Sequence, residues 1–433
     1  MSFVDGKNTF LSTLLRFVTL VATSMYAECV SPDFALLSVK RVAVLTVVGI
    51  AFPTLLAWNH VGMWLDDWLF PHWRACSVKE PLFIVGNARS GTTLMHRLLA
   101  LNEDRFTFFR TWEILVGVSV TWRLLFLLLA RMDELVGGPA ALLLDVIERC
   151  TVRGIRVHAV GLQLAEEDEW LMMWICKAQL LMMPFPLAGA QLGSLVLFDE
   201  QVAPETRAGI MGFYRDCVQR HVYARALWTG QRQHQRTFVS KNPPFTLRIA
   251  SLRRAFPSCR VACMLRDPVE SVPSMVSYIA QTWRAFACPL IQYPRFQDLV
   301  GFCMAHYTHP LGKLPQLYVP TDYVPDKPRG SSGSGSGNGS GKGGGEGEHG
   351  DWGCYVEYSQ LRAHQGSTVL ETLQTLGYLP TDMSTQYKKL LQAEEQRSKD
   401  YSNGHSYSLQ QTCDVSGDVF KQMFADIYRA HPF

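Results

Sequence analysis

The sequence predicts an α/β fold: a three-layer sandwich with a central parallel sheet, a large helical insert and an N-terminal membrane-associated helix. Three observations carry this. From Pro81 onward, short apolar runs alternate with segments of helical spacing. The runs end on a glycine-bearing turn, on Lys241 and on Arg266. Ahead of them lies an uncharged apolar stretch, residues 42–58. Strands that alternate with helices form parallel sheets with both faces covered.

The chain has 433 residues, enough for two or three ordinary cores or for one large α/β domain with additions. Hydrophobic residues make up 48% and charged residues 18%, against roughly a quarter charged in soluble domains. Such a chain has ample apolar area to bury, which excludes wholesale disorder and leans toward a membrane. The formal net charge of +3 offers no global field for nucleic acid but permits local anion sites. Eleven cysteines are scattered without a CxxC pair, so no metal site is expected.

Residues 1–80 form an N-terminal membrane-associated region. Its stretch 42–58, VAVLTVVGIAFPTLLAW, is 17 uncharged residues long, at the short end of what crosses a bilayer. Pro53 inside it is tolerated in a membrane helix. Trp58, Trp64 and Trp68 follow as an interfacial belt. Lys40 and Arg41 precede the stretch while Asp66 and Asp67 follow, which predicts a single span with a cytoplasmic N-terminus. The earlier run Phe10 to Ala22 is broken by Arg16 and reads as an interfacial helix rather than a second span. Ile114 to Ala130, which contains Arg123, reads as a buried or membrane-facing helix.

Residues 81–433 form the second unit. LFIVG (82–86) is the first strand, and TTLMHRLLAL (92–101) has helical spacing at Leu94, Leu98 and Leu101. The insert 114–235 reads mainly helical and carries the acidic run AEEDE at 165–169. RTFVS (236–240) and CRVACML (259–265) are further strands. Each is followed by a helix start, with Pro243 and Pro244 in the first case and Asp267, Pro268 and Glu270 in the second. The Gly/Ser tract 326–350 has almost nothing to bury and is expected to be a disordered loop. YVEYSQL (355–361) reads as a strand end or a lead into a short helix, and VLETLQTLGYL (369–379) as an amphipathic helix.

Chemistry concentrates at three strand ends. In GNARSGTTL, Gly86 to Leu94, glycines let the backbone approach an anion and the following helix offers its N-terminal N–H groups. Arg89, Ser90, Thr92 and Thr93 add donors around Gly91. The loop is P-loop-like in the spacing of Gly86 and Gly91, yet Thr92 stands where a nucleotide triphosphatase needs lysine. Lys241 closes the second strand. Arg266 closes the third, with Ser274 on the next helix. In an open parallel sheet ligands bind at the carboxyl ends of strands, so three cations there suit a ligand with several anionic groups.

These segments resemble sulfotransferases, specifically the bacterial-type and tyrosylprotein-type branches. Residues 81–115 resemble the family's 5′-phosphosulfate loop. Residues 237–280 resemble its lysine element and 3′-phosphate motif. The resemblance implies 3′-phosphoadenosine-5′-phosphosulfate (PAPS) as donor, its 3′,5′-bisphosphate (PAP) as product, and no metal. It implies that Arg89, Ser90, Gly91, Thr92 and Thr93 hold the 5′-phosphosulfate and that Arg266 and Ser274 hold the 3′-phosphate. Lys241 would stabilise charge on the bridging oxygen. The histidine that the cytosolic branch places after its lysine is replaced by Asn242, whereas Glu113 approximately matches a glutamate of the tyrosylprotein branch. Glu113 is therefore the expected base, with Lys241 and Arg89 as the other catalytic groups. Its alternative role is to close the start of the next helix. One of Glu166, Glu167, Asp168 and Glu169 is an alternative base, and His158 precedes them.

The expected activity is sulfuryl transfer from PAPS to a hydroxyl or amine of a carbohydrate, lipid or protein, with a lumenal Golgi catalytic domain if the chain is eukaryotic. Two alternatives share the anion cradle: a P-loop nucleotide kinase or NTPase, and a non-catalytic nucleotide-binding membrane adaptor. No nucleic-acid partner is expected.

Overall fold

A computed structural model describes residues 8–30, 38–152, 161–230, 236–288, 296–315, 318–319, 352–378, 384–399, 415–431 and 433. The Gly/Ser tract 326–350 and His158 lie outside the described residues. Two long helices come first, α1 (Phe10–Val30) and α2 (Val39–Leu69). Strand β1 (Leu82–Gly86) leads into α3 (Thr92–Ala100), then β2 (Phe106–Thr107). The insert follows with α4 (Thr111–Leu115), α5 (Val120–Leu135), α6 (Pro139–Val152), a 3-10 segment at Asp168–Ile175, α7 (Gly189–Leu192), α8 (Phe198–Gln201) and α9 (Pro204–Thr229). After β3 (Thr237–Lys241) come α10 (Ile249–Ala255), β4 (Arg260–Leu265), α11 (Pro268–Ala285) and α12 (Phe296–Thr308). The chain then forms β5 (Gly353–Glu357), α13 (Tyr358–Ala363), α14 (Gln365–Thr375), α15 (Thr385–Lys399), α16 (Gly417–Met423) and α17 (Ala425–Ala430).

The five strands form one parallel sheet in the order β2-β3-β1-β4-β5. Side chains alternate across it, as the pleat requires. Leu82, Ile84, Val239 and Met264 pack with Leu98 of α3 and Leu373 of α14 on one face. Phe83, Val85, Phe238 and Val261 pack with Ile249, Leu252 and the insert on the other. Both faces are covered, which is the predicted three-layer arrangement. Ile84 pairs with Lys241, and Gly86 with Met264. This register brings the ends of β3, β1 and β4 side by side.

The N-terminus differs from the expected single span. The stretch 42–58 lies inside the 31-residue α2, and α1, interrupted by Arg16 in sequence, runs unbroken for 21 residues. Both helices are long and apolar enough to cross a membrane. Arg16 does not interrupt α1 because it turns inward and donates to the Ile175 carbonyl at 3.3 Å. Both ends of α2 are bonded to later segments of the chain. Arg41 donates to the carbonyls of Pro184 and Phe286, and Asp66 accepts from the N–H groups of Val120 and Thr121. A domain held at both ends of one helix is not the tethered arrangement that a single span with the catalytic part across the bilayer implies.

Candidate active site

The loop after β1 is shaped by backbone that only certain residues adopt. Gly86 has φ +130°, and a Cβ there would lie 2.4 Å from the Met264 carbonyl oxygen. Gly91 has φ +87°, and a Cβ there would meet the Tyr358 ring at 2.5 Å. Arg89 also sits in the left-handed region at φ 69°, a strained conformation for a residue with a Cβ and one that functional loops often hold. Gly91 caps α3, whose first N–H groups have no intrahelical acceptor and face the loop. Thr246 fixes the loop's base, accepting from Gly86 N at 2.7 Å and donating to Gly86 O at 3.0 Å.

The structure joins the loop to the third strand end. Arg89 Nε donates to Ser274 Oγ at 3.1 Å, and Arg266 Nη1 donates to the Arg89 carbonyl at 2.9 Å. The Arg266 guanidinium lies 4.4 Å over the Tyr358 ring, which holds it flat toward the loop. Behind it, Tyr307 donates to the Arg266 carbonyl and shares a 2.8 Å bond with Ser271. Tyr358 and Tyr307 escaped the sequence reading. Both stand far along the chain from the motifs they support, and an isolated tyrosine carries no signal of its own.

One cavity of about 570 Å³ opens against this constellation. Its lining includes the polar and cationic Arg89, Gly91, Thr92, Thr93 and Arg266. It also includes the apolar Met182, Met183, Leu197, Met275, Trp283 and Phe302. Ser90 is buried behind the loop, and Ser274 reaches the cavity wall through Arg89. Lys241, 1% exposed, reaches the cavity through Glu167, which lines it: Nζ to Oε1 is 2.7 Å. Glu166 Oε1 lies 3.8 Å from the same ammonium.

The acidic run resolves into separate environments. Asp168 is fully buried beneath β3, accepting from Tyr214, from Ser240 at 2.8 Å and from Asn242 at 3.4 Å. Burial pushes its carboxyl up to about 7, against the hydrogen bonds from Tyr214 and Ser240 that favour the anion. Asn242, standing where one branch keeps a histidine, is thus a support for Asp168. Glu169 pairs with the buried Arg248 at 3.0 Å and accepts the N–H groups of Gln179 and Leu180. Glu166 and Glu167 are left near the surface of the cavity.

Glu113, the base expected from the sequence, stands elsewhere. It is 2% exposed and is not among the residues lining the cavity. Its Oε2 accepts from Arg110 N at 2.8 Å, closing the start of α4, and its Oε1 faces the buried Arg123 at 3.3 Å. Both oxygens are thus engaged by Arg110 N and Arg123. Among the described residues no cluster of three metal-ligating side chains occurs.

Comparison with known proteins follows the same lines. The model of the sulfotransferase family matches residues 197–313, the part that holds Lys241, Arg266 and Ser274. Omega-hydroxy-beta-dihydromenaquinone-9 sulfotransferase Stf3 of Mycobacterium bovis is 26% identical over 243 residues, 54% of this chain and 53% of its own length, and its counterpart from Mycobacterium tuberculosis matches equally. The crystal structure of sulfotransferase STF9 from Mycobacterium avium superposes with a TM-score of 0.65 over 97% of this chain and 92% of that one, at 13% identity. These matches support a sulfotransferase family, the family model over residues 197–313 and the structural likeness for the fold. The chain spans about half the length of the curated relatives it matches. The sulfotransferase STF1 from Mycobacterium tuberculosis shares the fold at a TM-score of 0.50 and 15% identity. These relatives are mycobacterial and lend no support to a Golgi location, and nothing among them favours the kinase, NTPase or adaptor alternatives.

Proposed function

We propose that this protein transfers a sulfuryl group from PAPS to a hydroxyl on an apolar acceptor. The observation that carries the reading is a cavity lined both by the cationic loop residues Arg89 and Arg266 and by a set of apolar side chains. Anionic donor and greasy acceptor would face each other across Lys241 and Glu167.

In this reading the 5′-phosphosulfate rests on the N-terminus of α3, on Arg89 and on Thr92 and Thr93, where oriented N–H groups favour an anion. The 3′-phosphate takes Arg266, whose planar fork suits phosphate, and Ser274. The acceptor oxygen forms a bond to sulfur as the bond from sulfur to the 5′-phosphate oxygen breaks. Lys241 neutralises charge growing on that leaving oxygen. Glu167, rather than Glu113, takes the acceptor proton, because it is the carboxylate that both lines the cavity and touches Lys241. PAP and a sulfate ester leave. Stf3 is named for an acceptor with a hydroxyl on a long apolar quinone, which favours the lipid among the acceptor classes and a hydroxyl over an amine.

The test is transfer of 35S from labelled PAPS to lipid extracts in the presence of EDTA. The expected result is an organic-soluble labelled product at undiminished rate, since no step needs a metal. Transfer abolished by EDTA, with nucleotide hydrolysis in its place, contradicts the reading.

A further inference from the structure

Helices α1 and α2 are amphipathic in the wrong sense for water. Surface helices of soluble proteins bury apolar residues and expose charged ones. Here Arg16, Glu28, Arg41 and Asp66 turn inward, while Lys40 and Asp67 stay exposed near the ends of α2. Arg41 meets Glu28 at 2.7 Å, with both side chains 1% exposed, and Ser24 donates to the same carboxylate. Asn59 donates to the Leu115 carbonyl at 2.9 Å, and Asp66 pairs with Arg220 at 3.0 Å. The outward faces carry Leu15, Val18, Val47, Ile50 and Trp64, each at least half exposed. Residues 42–65 contain no Asp, Glu, Lys or Arg at all. Apart from Lys40 and Asp67 near the two ends of α2, the outward surface carries no charge; it matches hydrocarbon over residues 42–65 and is costly in water.

The same bonds fix how that surface meets a bilayer. Arg41 and Asp66 are 25 positions apart, about 38 Å along a helix at ~1.5 Å per residue. Both are tied to later segments of the chain. The hydrocarbon layer is only about 30 Å thick, so a spanning α2 would drag those segments across it. Its outward face therefore fits a helix lying along the membrane rather than through it. α5 extends the surface: Trp58 of α2 stacks on Trp122 at 4.1 Å, and Leu128 of α5 is half exposed.

We propose that the outer face of α1 and α2 is a monotopic membrane surface, seated in one leaflet of a lipid bilayer, from which the cavity receives its acceptor. The cavity wall is attached to this surface. Arg41 holds the Pro184 carbonyl, between the lining residues Met183 and Pro186, and the Phe286 carbonyl, three residues past the lining Trp283. The clause about the acceptor rests on the sulfuryl-transfer reading, whereas the docking surface does not.

The experiment uses the full chain and phosphatidylcholine vesicles. In a flotation gradient the protein is expected to rise with the vesicles, and the Val47→Glu, Ile50→Glu double variant to lose at least tenfold of the floating fraction. PAP-induced thermal stabilisation should be unchanged in that variant, which shows it folded; Val47→Ser, Ile50→Ser repeats the comparison with a milder change. Lys40→Cys and Leu69→Cys, in a Cys29→Ser, Cys150→Ser, Cys413→Ser background and reconstituted in sealed vesicles, should both react with an impermeant maleimide from the same side. Wild-type protein that stays at the bottom of the gradient overturns the proposal, and so do two labels that need opposite sides. Flotation without any donor-dependent labelling of lipid overturns the sulfuryl-transfer reading and leaves the membrane surface standing.

Discussion

Lys241→Ala is expected to lower kcat by about 10²- to 10³-fold while changing PAP affinity by less than about threefold. Removing one preorganised positive group aimed at developing charge costs this much in comparable sites. The separation follows from where the ammonium lies. It is withdrawn beneath the cavity wall and held by Glu167, not placed beside Arg89 and Arg266, so it contributes little until the leaving oxygen gains charge. The substitution should be tolerated structurally, because Glu167 retains 18% side-chain exposure and can be hydrated when its partner is gone. Single-turnover rates and a binding titration on the same preparation check both halves. Equal loss of binding and rate would mean that Lys241 is a donor-holding residue only.

Glu113→Ala should act on stability instead, costing about 3–5 kcal/mol, the range for stranding one member of a buried ion pair. Arg123 is fully buried, and its guanidinium faces Glu113 at 3.3 Å with the Phe109 ring on another side at 5.4 Å. The cap on Arg110 N is lost as well. Glu113→Gln keeps an acceptor for the cap and should lie between. Because replacing both charges by apolar groups is often near neutral, Glu113→Leu with Arg123→Met should recover much of the loss. Denaturation midpoints and activity per folded molecule check this. A Glu113→Gln protein of normal stability without transfer activity would return Glu113 to the role of base.

The sheet and the loop at its strand ends were legible because they rest on local rules. LFIVG before Gly86, with Thr92 and Thr93 opening a helix, specifies strand, turn and helix N-terminus within a dozen residues. Lys241 ends and Arg266 follows a short strand buried along nearly its whole length, as in a covered parallel sheet. Which carboxylate meets the cavity was not legible, because Glu113 and the run 166–169 differ only in tertiary surroundings. The 3-10 turn beginning at Asp168 sends Asp168 under β3 and Glu169 to Arg248, and leaves Glu167 at the cavity. Strand β2, two residues long, has too little pattern to read. The N-terminal region misled for a different reason. Arg16 looked like an interruption because sequence does not say whether a charge points to lipid or to protein, and here it points to the Ile175 carbonyl.

The central claim is that Arg89 and Arg266 hold two ends of one nucleotide. Calorimetric titration of PAP, and of adenosine 5′-phosphate, into wild-type, Arg89→Ala and Arg266→Ala protein tests it most directly. The account predicts one PAP site per chain, weakened about tenfold or more in each variant, as for loss of a hydrogen bond to a charged group. With adenosine 5′-phosphate, which lacks the 3′-phosphate, the Arg89→Ala effect should persist and the Arg266→Ala effect should vanish. PAP affinity unchanged in either variant, or an Arg266→Ala effect that survives without the 3′-phosphate, contradicts it.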